Sequence, residues 1–325
     1  MGDGTLPEIV DDNRSRIAFT RDPSKCALAC RNRRASSRVK TLLIHNPKAG
    51  SKLPSAAELT RDAKAAQLDP VYQDIKGRGF KAALAKKWDL VIVAGGDGTV
   101  TKVARELKNR KTPLAILPSG TANNIASSLG VSGKPKEILG ALHKAQARLL
   151  DIGVAKGPWG KRYFLEAVGI GPIAEAVSQS GPRPPKPIRV EVGRDQLRSV
   201  VHDAEAEHFE IGVDGQAFVG EFLFIEILNL SLTGPALPLA FSAAPDDQTL
   251  DVVFLYAKER CAMEAWLTQH PEGTPPPLTV IRGRKINFKW QQGHLRIDSR
   301  VYLPPKNPAS IKIRLSKNSL KVLVP

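Results

Sequence analysis

The 325-residue chain has little of what stabilises small secreted folds. Its three cysteines, Cys26, Cys30 and Cys261, are too few and too unevenly spaced for a disulfide framework, which favours a reducing compartment. No second pair follows Cys26 and Cys30, so a structural zinc site is not expected there. No apolar run approaches the roughly 20 residues that a membrane-spanning helix needs. In place of a secretory signal the chain starts with Asp3, Glu8, Asp11 and Asp12. A cytoplasmic protein is expected, with only peripheral contact to a membrane. The nucleotide motif G-x-x-x-x-G-K-[ST] is absent, and no G-x-G-x-x-G follows the first strand. Aromatic residues make up only 6%, without an aromatic-rich sheet motif or a recognition helix, so nucleic-acid binding would rest on charge alone.

Acidic residues are also in the minority. Lys and Arg number 48 against 32 Asp and Glu, a net charge of +16, so an anionic partner is expected: nucleic acid, an anionic membrane surface and a phosphorylated small molecule all fit that field. Hydrophobic residues at 42% are ordinary for a globular protein, and the length exceeds one comfortable core, so two domains are expected. Residues 1–37 end in "RNRRASSR" without apolar periodicity and read as a basic, solvated tail.

From Val39 the pattern changes. "VKTLLIH", "DPVYQDI", "DLVIVAGG" and "PLAILPSG" read as strands, alternating with helical "AAELTRDAKAAQL", "GFKAALAKKW", "TVTKVARELK" and "TANNIASSL". Strands apolar throughout and alternating with helices predict a doubly wound parallel sheet over 38–148. Beyond Leu149 the segments are mostly strands, with Asp214-Gly215 as a hairpin turn, and predict an antiparallel β-sandwich or open barrel over 149–325. "KERCAMEAWLTQ" and Ile173 to Ser178 are the expected helices of that half. "SGPRPPKP" at 180–187 is a surface loop.

Three strand ends in the first half carry unusual loops: "NPKAGS", "GGDGT" and "PSGTANN". In a parallel sheet all three lie on one edge, where loops enter helices whose first amides are unpaired and bind anions. Gly95, Gly96 and Gly98 are suited to φ > 0 and to close phosphate approach, and Thr99 and Thr121 to capping helices. Asp97 is the odd member. A carboxylate beside polyphosphate repels it unless it has a task such as taking a proton. Lys102, in the first turn of a helix, is read as solvated rather than phosphate-binding. Trp159, in "GPWGKR", is a loop residue suited to a bilayer interface, and "LTGPALPLAF" is read either as the wall of an apolar cleft or as cover over the sandwich.

These motifs, in this order, resemble the diacylglycerol kinase catalytic superfamily, which includes sphingosine, ceramide and bacterial lipid kinases. "NPKAG" at 46–50 is similar to N-P-x-[AS]-G, "GGDGTV" to G-G-D-G-T, "PSGTANNIA" to P-x-G-T-x-N-[DN]-x-A, and "PDDQTLDV" to a segment ending in D-G-x-L-D-V. The resemblance implies an NAD-kinase-like α/β domain, a β-sandwich domain and a last strand, "LKVLVP", returning to the first. It implies a lipid kinase with ATP and Mg2+, the nucleotide in the cleft between domains. Asn46, Pro47, Gly50, Gly95, Gly96, Gly98, Thr99, Gly120, Thr121 and Asn123 would line the nucleotide pocket, and Asp247 and Asp251 would hold the metal.

Two departures stand out. Gln248 occupies the turn glycine of D-G-x-L-D. The late D-G-E motif, source of the general base, reads Asp298-Ser299-Arg300, and an arginine takes no proton. Either Asp97 or Asp298 serves as base, or the chain is a regulatory protein that binds nucleotide without turnover. An NAD kinase would share "GGDGT" but not the other two loops.

Overall fold

The computed structural model describes residues 38–49, 54–178, 185, 188–269 and 273–325. Cys26, Cys30, Arg31, Gly50 and most of the Pro-rich stretch at 180–187 lie outside the described residues.

The first half runs β1 (Val39–His45), α1 (Ala56–Ala65), β2 (Leu68–Asp74), α2 (Phe80–Ala85), β3 (Leu90–Gly95), α3 (Asp97–Leu107), β4 (Leu114–Pro118), α4 (Asn124–Ser128), α5 (Pro135–Ala141) and β5 (Gln146–Leu150). Leu42, Leu43 and Ile44 on β1 and Val91, Ile92 and Val93 on β3 are all buried, because a central parallel strand is covered on both faces. The start of α1 is fixed by a reciprocal cap: Ser55 Oγ accepts from Glu58 N, and the Glu58 carboxylate accepts from Ser55 N.

The second half runs β6 (Gly153–Gly157), β7 (Gly160–Phe164), β8 (Ala167–Ile170), α6 (Pro172–Ser178), α7 (Arg189–Asp203), β9 (Glu207–Val213), β10 (Gln216–Leu228), β11 (Leu232–Thr233), β12 (Leu237–Pro238), β13 (Leu250–Tyr256), α8 (Arg260–Gln269), β14 (Thr279–Gly283), β15 (Lys285–Trp290), β16 (Leu295–Ile297), β17 (Arg300–Tyr302), β18 (Ala309–Leu315) and β19 (Leu320–Val324).

The first sheet has the order β2-β1-β3-β4-β19-β5. The chain steps outward from β1 to β2 and then crosses to β3 on the other side of β1. That reversal is a switch point, where the loops leaving β1 and β3 part and open a crevice at the carboxyl ends of the strands. β19 runs parallel to β4 and antiparallel to β5, so the chain's last strand lies in the first sheet.

The second sheet is antiparallel and curled. β10, at 13 residues, pairs with β9 along its first half and with β8 and β13 along its second, bending at an irregularity between Phe222 and Phe224. Asp214 and Gly215, both at positive φ, turn β9 into β10 as their sequence predicts. Phe164, Phe222, Phe254 and Trp290 fill the inside of the curl. Its outer face is covered by α6, α7 and α8 through Ile173, Leu197, Val201, Met263 and Trp266.

The sequence pattern assigns no element to α7. Its apolar spacing is helical only at Leu197, Val200 and Val201, the positions that are buried, while Val190 and Val192 follow a strand-like alternation. Packing against α6 and α8 decides the matter.

Candidate active site

The three loops meet at the carboxyl edge of β1, β3 and β4. Asn46 ties the first to the second: its backbone N–H donates to Ala94 O (2.9 Å) and its side-chain amide to Thr99 Oγ1 (3.0 Å). Pro47 follows it at the turn. The second loop touches the third glycine to glycine. A Cβ built on Gly96 would lie 2.7 Å from Gly120 Cα, and one on Gly120 would lie 2.6 Å from Gly96 Cα. Close approach is thus what these glycines provide. Gly95, Gly96 and Gly98 are not among the residues at positive φ, which corrects the expectation from sequence.

Asn123 locks the third loop, its Oδ1 accepting from Gly120 N (2.7 Å) and its backbone at φ 53°. Nor do the two threonines cap helices. Thr99 lies inside α3, Thr121 is exposed beside Arg189, and the residues preceding α3 and α4 are Gly96 and Asn123. Gly96, before α3, has no side chain to cap it, and Thr99 N and Val100 N turn back to Gly96 O at 2.8 and 3.1 Å. A Cβ on Gly98 would meet nothing within 4 Å, so the floor of the cradle is open. A helix start over an open, side-chain-free floor fits a nucleotide's polyphosphate.

Beside this cradle lies a cavity of about 270 Å³. Asp97, Gly98 and Asn124 face it from the side of the first sheet, and Glu166, Arg296 and Asp298 from the side of the second. Ile173 and Val177 of α6, Leu197 of α7 and Pro235 give it an apolar wall. The segment "LTGPALPLAF" fills both roles expected of it: Gly234 and Pro235 line the cavity while Leu237, Leu239 and Ala240 enter the core.

Asp97 sits at the first position of α3, and its Oδ1 accepts from Ile125 N (2.9 Å). Burial, then the negative charge of Glu166, push its pKa up to about 6, against the pull of neighbouring backbone amides. Asp298 is raised to about 6 for the same two reasons. The two aspartates differ in what holds them. Asp298 Oδ1 accepts from Glu166 N (2.9 Å), and Oδ2 accepts from Arg105 Nη2 (3.3 Å), with Leu165 N donating to the same carboxylate. Arg105 also donates from Nε to Tyr163 O (2.8 Å) on β7, so α3, which begins at Asp97, is bound to the second sheet at its far end. Asp298 is committed to that junction.

Sequence reasoning misses the charges beneath the cavity. Glu226, Gly169 and Arg296 are cross-strand neighbours on β10, β8 and β16. The missing side chain of Gly169 leaves the space that Glu226 fills. Arg296 meets Glu226 in a two-point pair, Nε to Oε1 at 3.0 Å and Nη2 to Oε2 at 2.7 Å. Its Nη1 donates to Asp298 O (3.2 Å) and lies 3.6 Å from Glu166 Oε1. Glu166 is further held by Thr233 Oγ1, Gly234 N and the Asn124 side chain. The one signal in the sequence is a lone carboxylate, Glu226, in the apolar run "FLFIEILNL".

Asp247 and Asp251 are not in this cavity. Arg282 Nη2 donates to Asp247 Oδ2 (3.0 Å) and its Nε to Asp251 Oδ1 (3.2 Å). A guanidinium therefore lies between the two carboxylates that the family resemblance pairs around a metal. Lys102 is also engaged away from the cradle, donating to Ile75 O (3.0 Å) over the Phe80 ring. Trp159 is half-buried, its ring packed on Tyr302 and Trp290.

Residues 40–155 match the model of the diacylglycerol kinase catalytic domain. A protein of Pectobacterium atrosepticum named "Probable lipid kinase YegS-like" is 30% identical over 210 residues, 61% of this chain and 67% of that protein. The chain belongs to the diacylglycerol kinase catalytic-domain family. Within that family, a diacylglycerol kinase of Bacillus subtilis is 31% identical over 188 residues, 54% of this chain and 57% of that protein. A second "Probable lipid kinase YegS-like", from Pseudomonas aeruginosa, is 28% identical over 301 residues, 82% of this chain and 95% of that protein. The fold is shared with a diacylglycerol kinase crystal structure from Bacillus anthracis, with TM-score 0.64 at 22% identity, covering 90% of this chain and 98% of that one. It is also shared with yeast NADH kinase complexed with NADH, with TM-score 0.52 at 10% identity, covering 89% and 84%. The α/β domain is therefore NAD-kinase-like, as the family resemblance implies.

Proposed function

We propose that this lipid-kinase family member transfers the γ-phosphoryl group of ATP to a hydroxyl of a lipid, with Asp97 taking the hydroxyl proton. The observation that carries the reading is the position of Asp97: it opens α3, on the rim of the glycine cradle, and faces the neighbouring cavity with a pKa near 6. ATP supplies the phosphoryl group; Asn46, Gly96, Gly98, Thr99, Gly120 and Asn123 shape the cradle for its phosphates. In the transfer the acceptor oxygen bonds to the γ-phosphorus as the bond to the β–γ bridging oxygen breaks. The proton goes to the Asp97 carboxylate, and ADP leaves. A base with a pKa near 6 is ionised at neutral pH yet still basic enough to take a proton in the transition state. The Mg2+ expected of a kinase would be the one carried by the nucleotide's phosphates.

Arg300 does not stand in the way. It is exposed on β17 with its guanidinium 5.3 Å from the centre of the Tyr302 ring, and does not line the cavity. Asp298 acts as a positioning residue, holding the backbone of Leu165 and Glu166 against the cavity. The apolar wall between α6 and α7 suits a diacylglycerol-like or sphingoid acceptor. No helix among the described residues is long and apolar enough to cross a membrane. The net charge of +16 supports docking on anionic lipid, each well-placed Lys or Arg contributing about 1 kcal/mol.

The test is transfer of labelled γ-phosphate from ATP to a panel of lipid vesicles, with Asp97→Asn as the control. Undiminished activity in Asp97→Asn would remove Asp97 from the chemistry. ATP binding without transfer to any acceptor would instead select the regulatory, non-catalytic reading.

A further inference from the structure

The loop from Ser242 to Asp251 lies at the seam between the two sheets, away from the cavity. Leu150, at the end of β5, pairs with Leu320, and Val322 pairs with Leu114 at the start of β4. Asp151, which follows β5, is therefore at the edge of the first sheet opposite the glycine loops. Its N–H donates to Pro245 O (2.7 Å), which fixes the loop to this edge.

Four carboxylates crowd the seam: Asp151, Asp246, Asp247 and Asp251. Two carboxylate oxygens and a carbonyl gather around one side chain: Asp247 Oδ2, Asp251 Oδ1 and Ser242 O. Such a set of oxygens suits a hard divalent ion. Here they converge on Arg282, which gives Nη2 to Ser242 O (2.7 Å) and Asp247 Oδ2 (3.0 Å) and Nε to Asp251 Oδ1 (3.2 Å). Arg282 is placed by register, as the direct cross-strand partner of Asp251 on β14. Asp251 is 1% exposed, so its charge needs a partner at contact distance.

The remaining carboxylates are likewise met by the protein's own donors. Thr249 gives its N–H (2.9 Å) and hydroxyl (2.7 Å) to Asp247 Oδ1. Arg148 reaches Asp246 (3.6 Å). Gln248, where the resembling motif has glycine, keeps the left-handed turn at φ 61°. That backbone is costly for a side chain. Its amide and N–H both donate to Asp151, which Ser319 also holds. Gln248 and Arg282 together rebuild the loop around protein donors.

We propose that Arg282 is the built-in cation of this seam, taking the place that a divalent metal would occupy, so that the folded protein binds no divalent ion at Asp247 and Asp251. The loop then stays closed without metal, and any metal requirement of the chain belongs to its nucleotide.

The experiment is thermal unfolding of the full chain without nucleotide, in EDTA and in millimolar Mg2+ or Ca2+, for wild type, Asp247→Asn and Arg282→Met. The expected wild-type shift is below about 1 °C, since only an ion bound to the folded form would raise the midpoint. Arg282→Met removes the donors at similar length. It is expected to melt several degrees lower and to regain part of the loss when either ion is added. A rise of several degrees in wild type that Asp247→Asn abolishes would overturn the proposal. A rise that Asp247→Asn leaves intact would arise elsewhere and support it. If Arg282→Met does not fold, wild type and Asp247→Asn decide between these outcomes. Because no nucleotide or acceptor is present, the result is independent of whether the chain transfers phosphate.

Discussion

Glu226 and Arg296 meet over Gly169, a two-point ion pair laid across three adjacent strands, with Glu226 fully buried and Arg296 1% exposed. Breaking a buried pair from one side leaves an uncompensated charge and costs about 3–5 kcal/mol. Arg296→Met is expected to lose that much stability in denaturant unfolding. Gly169→Ala is expected to do comparable harm without removing any charge, because its Cβ would occupy the space of the Glu226 carboxylate. A Gly169→Ala protein as stable as wild type would show that the pair has another route.

Asp97→Asn is expected to lower phosphoryl transfer by about 10² to 10⁴, the usual worth of a proton acceptor, while leaving ATP binding measurable by calorimetry. It should also stabilise the fold. The folded pKa of Asp97 is raised from 3.8 to about 6, so burial favours the protonated form. Any stability it gives is present below pH 3.8 and is lost as pH rises through 6. At pH 7 the ionised group then costs about 3 kcal/mol, two units at 1.36 kcal/mol each. The advantage of Asp97→Asn over wild type in urea should therefore be larger at pH 7 than at pH 5. An advantage that shrinks with rising pH would contradict the assignment.

Activity is expected to fall on the acid side with an apparent pKa near 6. Asp97 accepts a proton only when ionised, and Asp298, also near 6, shares Glu166 as a neighbour. The acid limb belongs to the coupled group rather than to either aspartate. A profile of kcat/KM flat down to pH 5 would count against both assignments.

Gly96→Ala and Gly120→Ala should each abolish ATP binding, since either Cβ would meet the opposite glycine's Cα below 3 Å and part the two loops. Gly98→Ala, which meets nothing in the apo cradle, should fold normally and weaken only the nucleotide. Circular dichroism with calorimetric titration separates the two cases.

Arg300→Ala and Arg300→Glu should leave transfer within about twofold of wild type, the range of a surface substitution. Turnover that first appears in Arg300→Glu would establish instead that wild type is the non-catalytic member of the pair of readings.

Residues next to one another in sequence settled the parallel sheet, the three glycine-bearing loops on one edge and the family, because strand periodicity and turn chemistry act over a few positions. "VIVAGGDGTV" alone places Asp97 in a glycine turn between a strand and a helix, where a phosphate can approach the backbone. The sequence left Asp97 and Asp298 as equal candidates for the base and paired Asp247 with Asp251 around a metal. Only the tertiary structure shows what holds each of these carboxylates, because their partners are remote in the chain: Arg105 lies 193 residues from Asp298, and Arg282 lies 31 from Asp251. A carboxylate's chemistry depends on what is buried against it, and nothing in the local pattern carries that.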